Sequence, residues 1–310
     1  MARNLTSSAG CGMSQRAATP ADRRQPGATL ALLLISGAAA AGFSAPAEAD
    51  SPIAAAVLPS SRSVQVDNWA TVFATMINGG TSTLNGCAIA PATSVPATFT
   101  YQTTNPTTNA LTGSLNTPVS IGAGASQTFV LSFYPTAAFD PTQIDLTFDC
   151  TGVSAAASLS GLNTILLSGS TTPVPDVVAL VATAGNSGTL TVSGTPDAGA
   201  FAVATLNLGA GDTITGSANT GSVAQPLTLG ICQTVPSTGA CMGGLASTVT
   251  TSIAAGATPT FAVFATASDA IPFDPANNRI FVQFTDSTGA VRGSTSVAVV
   301  AAAPNSNPYR

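Results

Sequence analysis

Side chains that exchange protons near neutral pH are almost missing from this sequence. The chain has no histidine and no lysine, and after residue 49 it has eleven aspartates, four arginines and no glutamate. Ser-His-Asp, Cys-His and Ser-Lys catalysis, Schiff-base chemistry and histidine-based metal sites all need a residue type that is absent. An activity based on aspartates alone, or on a bound cofactor, is the enzymatic alternative that stays open. We expect a non-catalytic protein without a cofactor.

The aspartates are the remaining candidates for metal chemistry. They gather near Asp140 in the first half of the chain and near Asp274 in the second, and carboxylate oxygens in loops can bind calcium. Both residues lie in Phe-Asp-Pro sequences, which commonly open turns, and no Asp-x-Asp-x-Asp run accompanies them. We therefore expect turns and solvated strand faces rather than a metal site, with calcium at Asp140 and Asp274 as the weaker alternative.

Trp69 is the only tryptophan and follows Asp67 and Asn68. An exposed tryptophan beside polar groups is a platform on which sugars can stack, whereas most tryptophans pack into or around a core. We expect a core or rim position for Trp69, with a ligand platform as the alternative.

The N-terminal segment is typical of an export signal. Arginines precede an apolar run over residues 28–43, and Ala47 and Ala49 are small residues at the positions that a signal peptidase recognises. Residues 1–49 are therefore predicted to be a signal peptide, with Asp50 as the mature N-terminus and Met13 as a possible alternative start. An uncleaved membrane anchor is the competing interpretation. We expect the mature protein to be secreted, periplasmic or on the cell surface.

Charge excludes one class of partner. Residues 50–310 carry eleven aspartates against four arginines, a net charge of −7 (4 − 11). Such a chain cannot neutralise phosphates, so we expect no binding to nucleic acid.

A repeat organises the rest of the chain. Residues 72–115 placed on residues 202–245, with an offset of 130 and no gap, are identical at 14 of 44 positions. After small insertions the match continues, with residues 121–129 on 253–261 and residues 149–152 on 286–289. This internal duplication predicts one domain over residues 51–172, a Pro-containing linker at 173–176, a second domain over 176–301 and a polar tail at 302–310.

Within each copy the apolar residues recur with a period of two. Phe129, Leu131 and Phe133 alternate with polar or smaller residues, and residues 144–149 do the same. The alignment places Val72, Ala74 and Met76 opposite Ala202, Ala204 and Leu206 on the inner face of an early strand. About seven short strands per copy predict an all-β protein of two tandem Greek-key β-sandwiches.

Two sequence motifs resemble those of bacterial immunoglobulin-like domains. Ala74-Thr-Met-Ile-Asn-Gly-Gly-Thr81 resembles their strand-turn motif, and residues 121–129 followed by Phe133-Tyr-Pro-Thr136 resemble one of their hairpins. Such domains are similar to the ASPM/SPD-2/Hydin-type and CARDB-type sandwiches of exported proteins. The resemblance implies an immunoglobulin-like fold and a binding or scaffolding role, and it supplies no functional residues.

The repeat also selects a cysteine pairing. Cys11 precedes the apolar run of the signal, and the other four cysteines allow three pairings. Cys87 aligns with Ser217 and Cys150 with Ser287, while Cys232 and Cys241 align with Gln102 and Leu111. Cysteines gained or lost together predict Cys87–Cys150 and Cys232–Cys241 disulfides, which suit an oxidising compartment. Metal ligation is the alternative, although the spacing is poor for zinc.

The sequence thus predicts an exported structural or interaction protein that contacts other proteins, or itself, through sandwich faces and sheet edges that lack protective lysines. The alternative is a carbohydrate- or calcium-dependent binding module. An exposed Trp69, or a cage of oxygens around Asp140 and Asp274, would favour that alternative.

Overall fold

A computed structural model describes residues 51–193 and 197–302. The predicted signal peptide, its cleavage site and most of the polar tail lie outside the described residues. The first half of the described chain forms strands β1 (Ile53–Leu58), β2 (Ser61–Gln65), β3 (Ala70–Asn78), β4 (Leu84–Pro91), β5 (Ala97–Thr104), β6 (Val119–Ile121), β7 (Ser126–Pro135), β8 (Phe139–Ile144), β9 (Leu146–Asp149) and β10 (Ile165–Ser170).

The second half forms nine further strands and one short 3-10 turn, Ala184–Asn186. Within the described residues, the chain is therefore all-β, as predicted. These strands are β11 (Val177–Ala182), β12 (Thr189–Val192), β13 (Ala198–Asn207), β14 (Asp212–Asn219), β15 (Leu227–Thr234), β16 (Thr248–Ile253), β17 (Thr260–Ala267), β18 (Arg279–Thr285) and β19 (Val291–Ala301).

The sheets fit two β-sandwiches with the same strand order. One sheet of the first sandwich runs β1-β3-β7-β5, and its counterpart in the second runs β11-β13-β17-β15. The facing strands are β2-β10-β8 and β6-β4-β9 in the first sandwich and β12-β19-β18-β14-β16 in the second. Because only Asp145 separates β8 from β9, the two groups of the first sandwich correspond to the single five-stranded sheet of the second.

Each sandwich encloses its own apolar core, built by period-two alternation. Phe129, Leu131 and Phe133 are buried along β7, and Ile144, Leu146 and Phe148 are buried along β8 and β9. These predicted inward positions are confirmed. The corresponding large side chains of the second core include Phe261 and Phe284, whose ring centroids lie 5.0 Å apart.

The gapless alignment is wrong by one residue in the early strand. Val72, Ala74 and Met76 are buried in β3, but their predicted counterparts Ala202 and Ala204 are exposed. The buried residues of β13 are Phe201, Val203 and Thr205. Because successive strand side chains point to opposite faces, a slip of one residue exchanges the whole inner face for the outer one.

Two buried asparagines fix the correct register. The Asn78 side-chain amide donates to the carbonyls of Ser82, Ile121 and Gly122, and its oxygen accepts from the Gly80 amide. Asn207 makes the equivalent bonds to the carbonyls of residues 210, 253 and 254 and to the amide of residue 209. Asn78 therefore corresponds to Asn207, at an offset of 129, with compensating length changes before β5 and β15.

The sequence predicted sheet edges without protective lysines, and two of these edges are covered by loops of the same chain. Residues 105–116 return along β5, where the Thr112 amide donates to the Thr103 carbonyl and the Asn116 amide to the Tyr101 carbonyl. Residues 235–246 cover β15 in the same way, with bonds from Met242 and Ala246. Strand addition at β5 or β15 would require these loops to move.

Candidate functional site

A cluster of polar side chains lies between the two sandwiches, which belong to one compact unit of the chain. We call this interface the seam. Its members are serines, arginines and aspartates contributed by β2 and β10 of the first sandwich, the connection between sandwiches, and β18, β19 and the turn between them in the second: Arg62, Ser63, Ser168, Asp176, Arg279, Asp286, Arg292, Ser294 and Ser296.

Arg62 and Asp176 form a buried ion pair at the seam. The Arg62 Nη2 atom lies 2.8 Å from Asp176 Oδ2, and the two side chains are 9% and 3% exposed. Asp176 also accepts from the Ser63 amide, and its own amide donates to the Asn207 side chain. Asp176 was placed in the linker by the sequence, but its side chain is a central contact between the sandwiches.

A second ion pair lies within the second sandwich, and its arginine also bonds across the seam. Arg292 Nε lies 2.6 Å from Asp286 Oδ2, and Arg292 Nη1 donates to the hydroxyl of Ser168. The Ser168 hydroxyl in turn donates to Ser63, which connects this pair to the neighbourhood of Arg62. Because Arg292, Ser294 and Ser296 are alternate residues of β19, the period of the strand presents all three to the first sandwich.

The seam is also closely packed where Gly161 meets the second sandwich. The Gly161 carbonyl accepts from Ser296, whose hydroxyl is also the acceptor for Arg279. A Cβ atom at Gly161 would lie 2.7 Å from both the Phe281 ring and the Ser296 hydroxyl, and its φ of +71° favours glycine. Burial lowers the pKa of the Arg279 guanidinium, which stays charged because arginine gives up its proton only in strongly alkaline solution.

Three of the four arginines after residue 49, Arg62, Arg279 and Arg292, therefore lie in the seam, and the fourth, Arg310, is outside the described residues. The described residues outside the seam thus carry carboxylates, hydroxyls and amides but no basic side chain. This surface does not favour polyanionic partners.

Hydrogen bonding sets the protonation of Asp286. Burial raises the pKa of this carboxyl, but bonds from the Thr288 hydroxyl, the Arg292 guanidinium and the Ala290 amide outweigh burial, so the pKa is lowered. Because the pKa of Asp286 is lower in the folded state than its unfolded value of 3.8, the ionised carboxylate stabilises the fold at pH values above 3.8. This stabilisation is lost as the pH falls through the folded-state pKa.

We therefore expect Asp286→Asn to be less stable than the wild type at neutral pH, and we expect this loss of stability to be smaller in acid. The melting temperature of the wild type should exceed that of the variant at pH 7, with the difference shrinking below about pH 4. Thermal unfolding from pH 7 to pH 2 measures this difference, with exposed Asp269→Asn as the control. A difference that stays constant or grows on acidification would contradict the proposed role of Asp286.

The structure does not bring the calcium candidates together. Asp140 is exposed on β8 of the first sandwich, whereas Asp274 lies before β18 of the second. The Asp274 carboxylate accepts from the side chain of Asn277 and from two backbone amides, and these bonds, led by the Asn277 amide, lower its pKa. Within the described ranges, no group of three acidic, cysteine or histidine side chains is arranged to hold a metal ion.

Both disulfides of the predicted pairing are present in the structure. Cys87 bonds to Cys150 and joins β4 to the end of β9, while Cys232 bonds to Cys241 and ties the covering loop to β15. The alignment behind the prediction needs correction, because β-ladder partners place Ile214, not Ser217, at the position of Cys87. Ser287 is exposed, unlike Cys150.

Trp69 lies at the rim of the first sandwich, immediately before β3, and 53% of its surface is exposed. Its ring pairs with that of Tyr134 on β7, with centroids 4.9 Å apart and planes tilted by 48°. A groove of about 340 Å³ adjoins Trp69 and lies over the Arg62–Asp176 pair. Trp69 is thus available to a ligand.

The sequence did not identify the seam. One feature of the sequence could have indicated the seam, namely the scarcity of cations. Arg62 is the one charged residue in a serine-rich strand. Because that strand is buried on both faces, the charge of Arg62 needs a partner. The partner, Asp176, is 114 residues away in sequence. No local pattern joins the two residues.

Comparisons with known proteins add no family. No protein-family model and no curated protein matches this chain. Solved structures with partial similarity include a family 123 glycoside hydrolase from Clostridium perfringens, at 12% identity and a TM-score of 0.23 over 38% of this chain. The chain spans 26% of the length of that hydrolase.

Two further solved structures show similarity at the same low level. The major pilin subunit of Bacillus cereus matches 70% of this chain and 69% of its own, at 11% identity and a TM-score of 0.27. A marsupial T cell receptor matches 80% of this chain and 99% of its own, at 9% identity and a TM-score of 0.22. TM-scores of this size carry no functional inference, and the fold assignment rests on the strands and their order.

The two disulfides favour an oxidising compartment outside the cytoplasm. Among the described residues, no helix has the length and apolarity needed to cross a bilayer.

Proposed function

We propose that this is an exported, non-catalytic interaction protein built from two duplicated immunoglobulin-like Greek-key sandwiches that act as one rigid body. The observation that carries the proposal is the seam, in which the buried Arg62–Asp176 ion pair, the bond from Arg292 to Ser168 and a set of serine hydrogen bonds join the sandwiches. Interfaces between domains of one chain usually permit motion unless they are large and hydrophobic, so the rigidity proposed here rests on the buried charge and hydrogen bonds of the seam. Fixing two sandwiches together gives partners one defined surface.

Contact with other proteins, or with a second copy, would use a sheet edge or face. Among the edges of the facing sheets, β16 has six residues, compared with five in β2, four in β12 and three in β6. Residues Thr248 to Ser252 make no backbone hydrogen bond within the described chain beyond the ladder to β14. An uncharged edge of this kind can add a strand from another chain, as in cell-surface adhesion or self-assembly.

We expect the mature protein to self-associate through β16 and expect a lysine there to prevent it. Ser252→Lys places a charge on the exposed edge, where strand pairing would bury it. Thr266→Lys, on the exposed face of β17 inside a sheet, is the matched control with the same change in charge. Sedimentation velocity over a range of protein concentrations should show association of the wild type and of Thr266→Lys, but not of Ser252→Lys.

Two results would contradict the edge proposal. One is a wild type that stays monomeric at high concentration in low and high salt, with and without calcium. The other is association that Ser252→Lys does not weaken.

The second candidate function is a carbohydrate-binding module, and the exposure of Trp69 is the observation that favours it. The calcium-dependent form of this alternative has no comparable support, because Asp140 and Asp274 lie apart and Asp274 is used in a turn.

A further inference from the structure

The groove beside Trp69 combines an aromatic face with neutral polar groups. Trp69 forms one side, Gln65 and Asn68 contribute carboxamides from the same sandwich, and the linker and the loop after β13 supply apolar walls from Pro173, Val174 and Leu208. A volume of about 340 Å³ falls within the range of small-molecule sites. The site is made by both sandwiches, so its shape depends on the seam.

The aromatic surface is held in place before any ligand arrives. Tyr134, which is half-buried, packs against the Trp69 ring at 4.9 Å between centroids. The turn that carries Trp69 is tied back by the Asp67 amide, which donates to the Pro135 carbonyl, and by the Asn68 amide, which donates to the Gln65 carbonyl. A ring fixed in this way loses little conformational entropy on binding.

The groove is electrically neutral where a ligand would enter. Arg62 lines it, but its guanidinium is bonded to Asp176 and to the Thr71 carbonyl. The groove therefore offers no unpaired cation that would select a phosphate, sulfate or carboxylate. This favours an uncharged ligand.

Hydrogen-bonding capacity separates two kinds of uncharged ligand. One of the two N–H groups on each side-chain nitrogen of Gln65 and Asn68 donates, to the carbonyls of Thr171 and Val66 respectively, so one N–H stays open on each. The two side-chain oxygens accept no bond from the described residues and are also open. A sugar hydroxyl both donates and accepts and can pair with both kinds of group, whereas a proline-rich segment supplies mainly carbonyl acceptors and leaves the oxygens unpaired.

We infer that this groove binds a neutral oligosaccharide, with a sugar ring stacked on Trp69 and its hydroxyls donating to Gln65 and Asn68. The inference rests on the second candidate function proposed above, the carbohydrate-binding module, and deepens it by naming the groove, its polar contacts and the neutral class of sugar. The β16 edge is not part of the groove, so sedimentation and sugar binding can fail separately.

The test titrates the intact mature protein with neutral oligosaccharides of glucose, mannose, xylose and N-acetylglucosamine. Trp69 is the only tryptophan, so its fluorescence reports the groove directly, and calorimetry gives the affinity. We expect at least one sugar to bind and to shift the emission. Trp69→Ala should weaken binding by about tenfold or more. Phe273→Ala, which removes a more exposed aromatic far along the chain from the groove residues, should leave binding unchanged.

A second variant guards against an effect of Trp69→Ala on folding. Gln65→Ala keeps the aromatic pair and should weaken sugar binding several-fold with an unchanged melting temperature. The inference is overturned if none of the sugars binds, if both Trp69→Ala and Gln65→Ala bind as tightly as the wild type, or if a polyproline peptide binds at Trp69 and the sugars do not. In each of these cases the sedimentation result for β16 still stands.

Discussion

Arg62→Ala should lower the free energy of unfolding by about 3 to 5 kcal/mol, because it leaves the Asp176 carboxylate buried without its counter-charge. The Asp176 side chain is 3% exposed, and of the hydrogen bonds to its carboxylate the one from the Ser63 amide is left when the guanidinium is removed. Urea unfolding followed by circular dichroism measures the loss. The exposed control Asp269→Asn should change stability by less than about 0.5 kcal/mol.

Removing both charges should cost less than removing one. Asp176→Asn keeps an oxygen that can accept from the Ser63 amide, so the double variant Arg62→Met with Asp176→Asn has neither a buried charge nor a lost acceptor. We expect it to recover part of the stability lost in Arg62→Met alone, and the cycle of Arg62→Met, Asp176→Asn and the double variant should give a coupling of about 1 to 3 kcal/mol. If Arg62→Ala is as stable as the wild type within about 0.5 kcal/mol, the ion pair does not hold the seam.

The longer disulfide should have the second large effect. Replacing Cys87 and Cys150 with alanine releases a loop of about 64 residues in the unfolded chain and should lower stability by about 4 kcal/mol. Both positions are buried, and the second sandwich has Ile214 in place of Cys87 without losing its fold. We therefore expect the first sandwich to melt at a lower temperature but to keep its structure.

The shorter disulfide is the matched comparison. Replacing Cys232 and Cys241 with alanine frees a loop of about ten residues and should cost about 2.5 to 3 kcal/mol, mainly in the second sandwich. The corresponding loop of the first sandwich needs no disulfide, because bonds such as that from the Thr103 hydroxyl to the Thr112 carbonyl hold it. Trp69 fluorescence reports the first sandwich, and circular dichroism reports both. A larger loss of stability from the shorter disulfide would contradict this ranking.

Strand positions were predictable from the sequence because the alternation of apolar and polar residues along a strand is a local property. Phe129, Leu131 and Phe133 show it within five residues, and the structure buries all three. The register between repeats was less predictable. Ala74 and Ala204 are identical and match without a gap, but the buried residues of the two strands and the hydrogen bonds of Asn78 and Asn207 show that the strands are offset by 129.

The groove and the seam were not predictable, since both depend on where the second sandwich lies against the first. Trp69 could be singled out by its chemistry, but Pro173 and Leu208 become its neighbours only after folding. The edges show the same limit. The lack of lysines in the sequence suggested that sheet edges are open to other chains. At β5 and β15, however, the loop that follows each strand turns back and covers the edge.

Residual dipolar couplings of backbone amides in the mature protein test the rigid seam most directly. If the two sandwiches form one body, a single alignment tensor will fit the couplings of β1–β10 and β11–β19 together, with the sandwiches placed as the seam holds them. Arg62→Ala should weaken that agreement. Two tensors of different magnitude in the wild type would show that the sandwiches move independently, and the claim that the seam makes them one rigid binding surface would be wrong.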